Sequence, residues 1–397
     1  MTDFDVIVVG GGPGGSSAAY FHASLGKRVA LFEKSQFPRD KICGDAVTGK
    51  SLGILSEMGL KDEMMGIKEI STSSVLLTSP NATELNIPIS SPDDPMTSFC
   101  IERLTFDEKI FRKASKTVAE NGGEIIRESI KSPIVEGQKV IGVRNSKDKE
   151  YLAELVIGAG GYNCPLSRYV IEQNNLPKQD KSHYSSAIRE YWTDLNCSEG
   201  AFEIHFLDEI QPGYFWIFPV GKNRYNVGVG MLLKDMDKKS IKLKGMLDRV
   251  IENSRLSPIF EGAKKIEGTR KGWMLPLGGA KLRIAHSDGV RLVGDSASLI
   301  DPFTGEGIGN ALVSGKLSAI HQSGEDYQKA LNEHMQSELA NSERLQRMLN
   351  HKRLVNWFFK KASRKPKLQQ ILTDMLHYKE KQNKFGSKLF WLRALLF

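Results

Sequence analysis

The chain is poor in cysteine and in clustered metal ligands. Its 397 residues include four cysteines, Cys43, Cys100, Cys164 and Cys197, set far apart with no CxxC pair. That spacing argues against a disulfide framework and against a zinc site. The eight histidines form no HExxH or HxH grouping, so no structural or catalytic metal is expected. No run of about eighteen apolar residues occurs, and a membrane-spanning helix is therefore not predicted. The opening MTDFDVIVVGGG is acidic where a secretion signal is basic, and its apolar run breaks into glycines; it reads as a cytoplasmic start. Internal repeats and low-complexity segments are also missing.

What remains is ordinary for a globular enzyme: 40% hydrophobic and 26% charged residues. The length suits one large discontinuous domain or two to three ordinary ones. The formal net charge of +8 is unevenly placed. From Asp326 to Phe397 there are 15 Lys/Arg against 6 Asp/Glu, a net +9, which leaves the rest of the chain near neutral. A basic tail can meet nucleic acid, anionic lipid or only water, and charge alone does not choose.

The first thirty-odd residues carry the strongest pattern. DVIVVG (Asp5 to Gly10) is a buried-type strand, SSAAYFHASLG (Ser16 to Gly26) a helix closed by glycine, and RVALFEK (Arg28 to Lys34) a second strand. Gly10-x-Gly12-x-x-Gly15 falls on the turn of this βαβ unit, and Glu33 follows at the end of the second strand. In that setting the spacing predicts a dinucleotide site: Gly10 allows the tight turn, Gly12 admits a pyrophosphate, Gly15 allows close helix packing, and Glu33 accepts from a ribose. Further on, Glu102 to Asn121 predicts a helix with Phe106, Ile110, Phe111 and Ala114 on one face. A late strand, VRLVGDSA, leads into a glycine loop that opens a helix near Gly307.

These motifs, with ER..FD (Glu102, Arg103, Phe106, Asp107) and GDSA...DPFTGEGIGNAL (Gly294 to Leu312), make the chain similar to the flavin hydroxylase superfamily. KICGDAV (Lys41 to Val47), PGYFWIFP and NVGVG resemble, more narrowly, the geranylgeranyl reductase family. The resemblance spans residues 6 to about 320. It implies an α/β fold: a Rossmann-type FAD-binding domain over 1–70, 100–182 and 268–325, with an inserted antiparallel sheet for the substrate over 71–99 and 183–267. Residues 326–397 form a helical basic C-terminal region outside it.

FAD is the cofactor the resemblance implies. It assigns cofactor contacts to Gly10, Gly12, Pro13, Gly14, Gly15, Glu33, Lys34, Cys43, Gly44, Arg103, Asp295, Gly305, Gly307 and Ile308. Asp295 falls at the ribityl or pyrophosphate contact, and Gly307 with Ile308 brings backbone amides to the flavin pyrimidine. Cys43 is the family cysteine facing the flavin. One departure is Gly160-Gly161, where related hydroxylases carry an Asp-Gly pair.

The stretch QPGYFWIFP places Tyr214, Trp216 and Phe218 on one face of a strand. Such a face can simply be sheet core. In the family it looks onto the substrate beside the flavin, and three large rings suit a polyprenyl chain. The implied chemistry is hydride transfer from flavin N5 to a C=C bond, with a proton from a nearby acid. Cys43 and Tyr214 are the candidate acids and Trp216 a packing residue at the same site. Only one dinucleotide fingerprint is present, so NAD(P)H binding transiently and a ferredoxin-like donor protein both stay open as the reductant.

Rival readings are an aromatic monooxygenase, a flavin halogenase, a non-catalytic prenyl carrier on the same fold, and a hydrolase using GDSA as its nucleophile motif. The intact GGGPGG and GEGIG loops disfavour the carrier. The tail segment FGSKLFWLRALLF (Phe385 to Phe397), preceded by KKASRKPK, reads either as an interfacial helix over a basic patch at the inner face of the membrane or as a helix docked on the body. No nucleic-acid partner is assigned.

Overall fold

A computed structural model describes residues 2–47, 49–67, 72–89, 98–198, 200–366 and 368–369. The N-terminal pattern folds as its spacing predicts. Strand β1 (Phe4–Val9) is almost wholly buried, helix α1 (Pro13–Ser24) follows the glycine turn, and β2 (Val29–Phe32) returns parallel to β1. The sheet continues with β7 (Glu124–Ile126) beyond β2, and on the other side with β10 (Glu150–Gly158), β18 (Val290–Leu292) and β17 (His286–Ser287). Only β17 is antiparallel along this path. A hairpin of β8 (Ile130–Glu136) and β9 (Lys139–Asn145) leans on the start of β10.

Two helices pack against α1 at short range. Helix α8 (Ile308–Ile320) meets α1 where both carry small residues: a Cβ on Gly315 would stand 2.4 Å from the Gly14 carbonyl oxygen, and Ser17 donates to the Leu312 carbonyl at 2.6 Å. Helix α4 (Arg103–Glu120) buries Phe106, Ile110 and Ala114 of the predicted stripe and extends it one turn to Val118, while Phe111 is only half-buried. Helices α2 (Gly49–Glu57), α3 (Lys61–Met65) and α5 (Pro165–Gln173) complete this half.

The second sheet runs in the order β15 (Lys264–Lys265), β11 (Tyr184–Thr193), β14 (Arg224–Leu232), β13 (Tyr214–Gly221), β12 (Ala201–His205), β4 (Ser74–Thr78), β5 (Glu84–Pro88). It is antiparallel except for the β12–β4 pair. Strand β16 (Lys271–Pro276), which the sequence placed with the dinucleotide-binding part, pairs with β11 in this sheet. A two-stranded link, β3 (Ala46–Val47) with β6 (Phe99–Cys100), lies between the halves. The outer face of the second sheet is covered by α7 (Leu243–Asn253), whose Leu243, Met246, Leu247 and Val250 pack against Phe215 and Ile217; α6 (Leu233–Lys239) precedes it.

The described part of the C-terminal region packs on the body of the protein. Helix α9 (Gly324–Leu331) passes through one π turn into α10 (Ser337–Met348), followed by α11 (Lys352–Ala362). Val355, Phe359 and Ala362 of α11 are buried in one cluster with Leu85 and Ile87 of β5 and with Phe206, just past β12. Among the described residues no helix is long and apolar enough to cross a membrane. Residues 385–397, read above as an interfacial segment, lie outside the described residues.

Candidate functional site

One cavity of about 1510 Å³ occupies the space between the two sheets and is roofed by α10 and α11. At one end lie the glycine turn (Gly10, Gly12, Pro13, Gly14), Glu33 and Lys34. Its middle is walled by Cys43, Gly44, Arg103, Asp295 and Gly305 to Ile308. The far end is apolar, with Leu77, Ile204, Phe206, Phe303, Leu349 and Phe359.

The turn fits a dinucleotide physically. Gly10 has φ 109°, in the left-handed region that a side chain resists. A Cβ on Gly15 would lie 1.7 Å from the Gly10 carbonyl oxygen, so only glycine lets α1 start this close to β1; Gly15 itself does not line the cavity. Glu33 ends β2 with one carboxylate oxygen accepting from Gly11 N at 2.9 Å and the other from Ser35 N at 2.8 Å. A methyl group on Gly12 would stand 3.5 Å from the Arg39 guanidinium, which places a cation over the turn where a pyrophosphate needs one.

The second glycine loop closes the middle of the cavity. Asp301 accepts from Phe303 N (2.9 Å), Thr304 N (2.8 Å) and the Ser342 hydroxyl of α10 (2.5 Å), which fixes the loop's bend. Gly305 has φ 74°, Gly307 caps α8, and Ile308 begins it, so the α8 N-terminus opens onto the cavity. The Asp295 carboxyl has no hydrogen-bond partner among the described residues, while its backbone carbonyl accepts from Ser298 N. Burial raises the pKa of its carboxyl, while Lys41 and Arg103 pull the other way. A lone acceptor in this position suits a polyol chain. Ser296, the would-be hydrolase nucleophile, instead accepts from Gly161 N at 2.9 Å and braces the Gly160-Gly161 turn that ends β10. No carboxylate therefore stands where the hydroxylases' Asp-Gly pair lies.

Arg103 is buried, not an exposed helical arginine: its guanidinium makes a two-point ion pair with Asp107 (2.6 and 2.7 Å). Its charge also acts on the nearby Cys43 sulfur. Burial pushes the Cys43 thiol up; the Arg103 charge opposes this and the Asp45 charge adds to it, and the balance is a neutral thiol. Lys41, over the Trp273 ring at 3.7 Å, is lowered to about 8 by burial against the pull of Asp295.

The aromatic strand answers to its partner strand. In the β13–β14 register Tyr214 faces Gly230, Trp216 faces Gly228 and Phe218 faces Asn226. A Cβ on Gly228 would meet Trp216 Cζ2 at 2.2 Å, so the glycines of NVGVG are the seats for the rings. Trp216 and Phe218 lie 6.2 Å apart at 32°, Gly44 sits against Phe218, and all three rings reach the cavity. Tyr214 is half-buried, and its hydroxyl donates to the Thr304 carbonyl of the second glycine loop; burial also raises its pKa.

The sequence reading did not assign Arg39, Lys41, Asp45, Tyr191 and Asn226, nor the α10 and α11 side chains in the roof. The first three sit inside PRDKICGD and Asn226 inside NVGVG, so the signal was adjacent. The roof residues carry no motif.

A model of the geranylgeranyl reductase catalytic domain matches residues 183–269, and one of glucose inhibited division protein A matches residues 5–196. Digeranylgeranylglycerophospholipid reductase of Thermoplasma volcanium is 32% identical over 329 residues, covering 80% of this chain and 78% of that one. Menaquinone reductase of Mycobacterium tuberculosis (strain H37Rv) is 29% identical over 323 residues, covering 79% and 75%. The fold is shared with a geranylgeranyl bacteriochlorophyll reductase-like protein of Thermoplasma acidophilum (TM-score 0.79, 24% identity, covering 95% of this chain and 97% of that one). It is shared also with the flavin-dependent brominase Bmp2 (TM-score 0.73, 20% identity, covering 94% and 93%). Fold and cavity thus define an FAD-dependent oxidoreductase. Within that class, the chain belongs to the geranylgeranyl reductase family.

Proposed function

We propose that the protein reduces C=C bonds of a polyprenyl, geranylgeranyl-type substrate. The observation that carries this reading is the continuity of the cavity, which runs from the dinucleotide turn past Cys43 into an apolar end large enough for an isoprenoid chain. The names of the relatives from Thermoplasma and Mycobacterium support a prenylated lipid or quinone as the class.

In this reading Gly10, Gly12, Pro13 and Gly14 would hold the pyrophosphate with Arg39, Gly15 lets α1 begin close enough for them to do so, Glu33 and Lys34 would take the ribose end, Asp295 the ribityl chain, and Gly44, Arg103, Gly305, Gly307 and Ile308 would frame the flavin ring. Bound FAD supplies hydride from N5 of its reduced form. The chain must supply the proton, and Cys43 is the proposed source because its thiol lines the cavity and is held protonated. Tyr214 is less suited, since its hydroxyl already donates to Thr304. Trp216 and Phe218 flank the reacting bond and exclude water. The reductant is NAD(P)H or a ferredoxin-like protein.

A lipid substrate has to reach the roof, and α11 supports a route. Its inner face lines the apolar end, while Lys352, Arg353 and Lys360, with Arg364 and Lys365 just beyond, are exposed and basic. We assign to this face a peripheral contact with anionic lipid. Charge reversal at Lys360, Arg364 and Lys365 then reduces co-sedimentation with phosphatidylglycerol vesicles, and unchanged sedimentation rejects the contact.

The function itself is tested by anaerobic reduction of the FAD-loaded protein and mixing with a geranylgeranyl lipid. Reoxidation without oxygen, with product heavier by two hydrogens per turnover, is expected. A flavin that stays reduced until air is admitted, followed by oxygen insertion into an aromatic compound, makes the protein a monooxygenase.

A further inference from the structure

One side-chain amide joins the two halves of the cavity wall. Asn226, on β14 and with no exposed surface, has every strong polar position occupied. Its Nδ2 donates to the Cys43 carbonyl and to Asp45 Oδ2, both at 2.7 Å, and its Oδ1 accepts from Trp216 Nε1 at 2.9 Å. The partners fix which way the amide points. An indole nitrogen only donates and a carbonyl or carboxylate only accepts, so a flipped amide would oppose like groups at all three contacts.

Asp45 is tied down in the same way. It is fully buried with φ 67°, and its carboxylate accepts from the Tyr191 hydroxyl (2.6 Å) and from Arg103 N (3.3 Å) as well as from Asn226. Between β2 and β3 the loop that carries Cys43 has no helix or strand of its own. The hydrogen bonds that hold it from outside include those of Asn226 and Tyr191, on β14 and β11 of the other sheet, beside the Arg103 backbone N–H of α4.

We propose that Asn226 is a positioning residue for the reaction, holding the Cys43 loop and the Trp216 indole as one rigid unit. A single amide bonded to both sets the distance between the thiol and the aromatic wall, so a bond lying on that wall meets the proton donor in a fixed place. The kinetic consequence rests on the reduction reading above; the structural one does not.

The test uses the full-length, FAD-loaded protein in a Cys197→Ser background. Cys100 and Cys164 are buried, so Cys43 is then the thiol that answers to a disulfide reagent. Asn226→Asp keeps the side chain's shape but turns an oxygen toward the Cys43 carbonyl and the Asp45 carboxylate; Asn226→Ala removes the clamp without repulsion. With FAD content unchanged, both variants are expected to raise the Cys43 modification rate roughly fivefold or more. They are expected to lower kcat about a hundredfold with KM within about threefold, because the chain still binds while the thiol is misplaced.

A folded variant with thiol rate and kcat within about twofold of the parent overturns the proposal. So does loss of FAD and fold in both variants, which makes Asn226 a folding residue only. If the parent turns over no prenyl lipid, the reduction reading fails on its own while the thiol rates still decide the role of Asn226.

Discussion

Gly228→Ala is the sharpest probe of the aromatic wall. The added Cβ would lie 2.2 Å from Trp216 Cζ2 and 2.6 Å from the Ile188 carbonyl oxygen. The first overlap is with a ring pinned at Nε1 by Asn226; the second is with backbone of the neighbouring strand, which cannot swing aside. Overpacking of this kind costs about 3 kcal/mol at the upper end of its usual range. Pulling the indole off Asn226 adds about 1 kcal/mol. At about 2.1 cal/mol/K per residue, 397 residues give an unfolding entropy of about 0.8 kcal/mol/K, so a 4 kcal/mol loss lowers Tm by about 5 °C. Thermal unfolding of the FAD-loaded protein measures this, and KM for a geranylgeranyl lipid is expected to rise in parallel while FAD content holds. Adding Trp216→Phe should recover part of the Tm, but not all, because the Ile188 contact persists. A Tm within about 1 °C of the parent with an unchanged KM would refute the packing argument, since the ring would then not be wedged on that glycine.

Three further outcomes follow from the site. Gly15→Ala, whose Cβ would sit 1.7 Å from the Gly10 oxygen, should weaken FAD binding about a hundredfold, read from flavin absorbance after gel filtration. Cys43→Ala should lower kcat by about two orders of magnitude, whereas Tyr214→Phe, which loses only the bond to Thr304, should stay within about tenfold; the reverse order would make Tyr214 the acid. Asp45 has its pKa raised from 3.8 to about 6 by burial, against the hydrogen bonds from Tyr191 and Asn226. The folded state thus binds this proton more tightly than the unfolded one, so its contribution to stability is present below pH 3.8 and is lost as pH rises through about 6. Across that window Asp45→Asn should lack up to about 3 kcal/mol of the parent's fall in stability, measured by urea unfolding at stepped pH.

The sequence by itself determined the parts whose chemistry is local. Gly10, Gly12 and Gly15 with Glu33 lie within one βαβ unit, where spacing and the turn's need for positive φ leave few alternatives. The alternation of Tyr214, Trp216 and Phe218 put the rings on one face because a strand has a period of two. The family resemblance pointed to Cys43 and Asp295. Tertiary structure decided the rest. It paired each ring with a glycine or Asn226 across β13 and β14, moved β16 into the second sheet, and set the α10 and α11 side chains as the roof of a cavity whose other walls are drawn from Val9 through Ala311. It also turned Asn226, one residue in a glycine-rich strand, into the joint between Cys43 and Trp216. The β13–β14 register is local to neighbouring strands, but the Asn226–Cys43 bond and the roof depend on how distant parts of the chain meet, and no short window of sequence contains both of those partners.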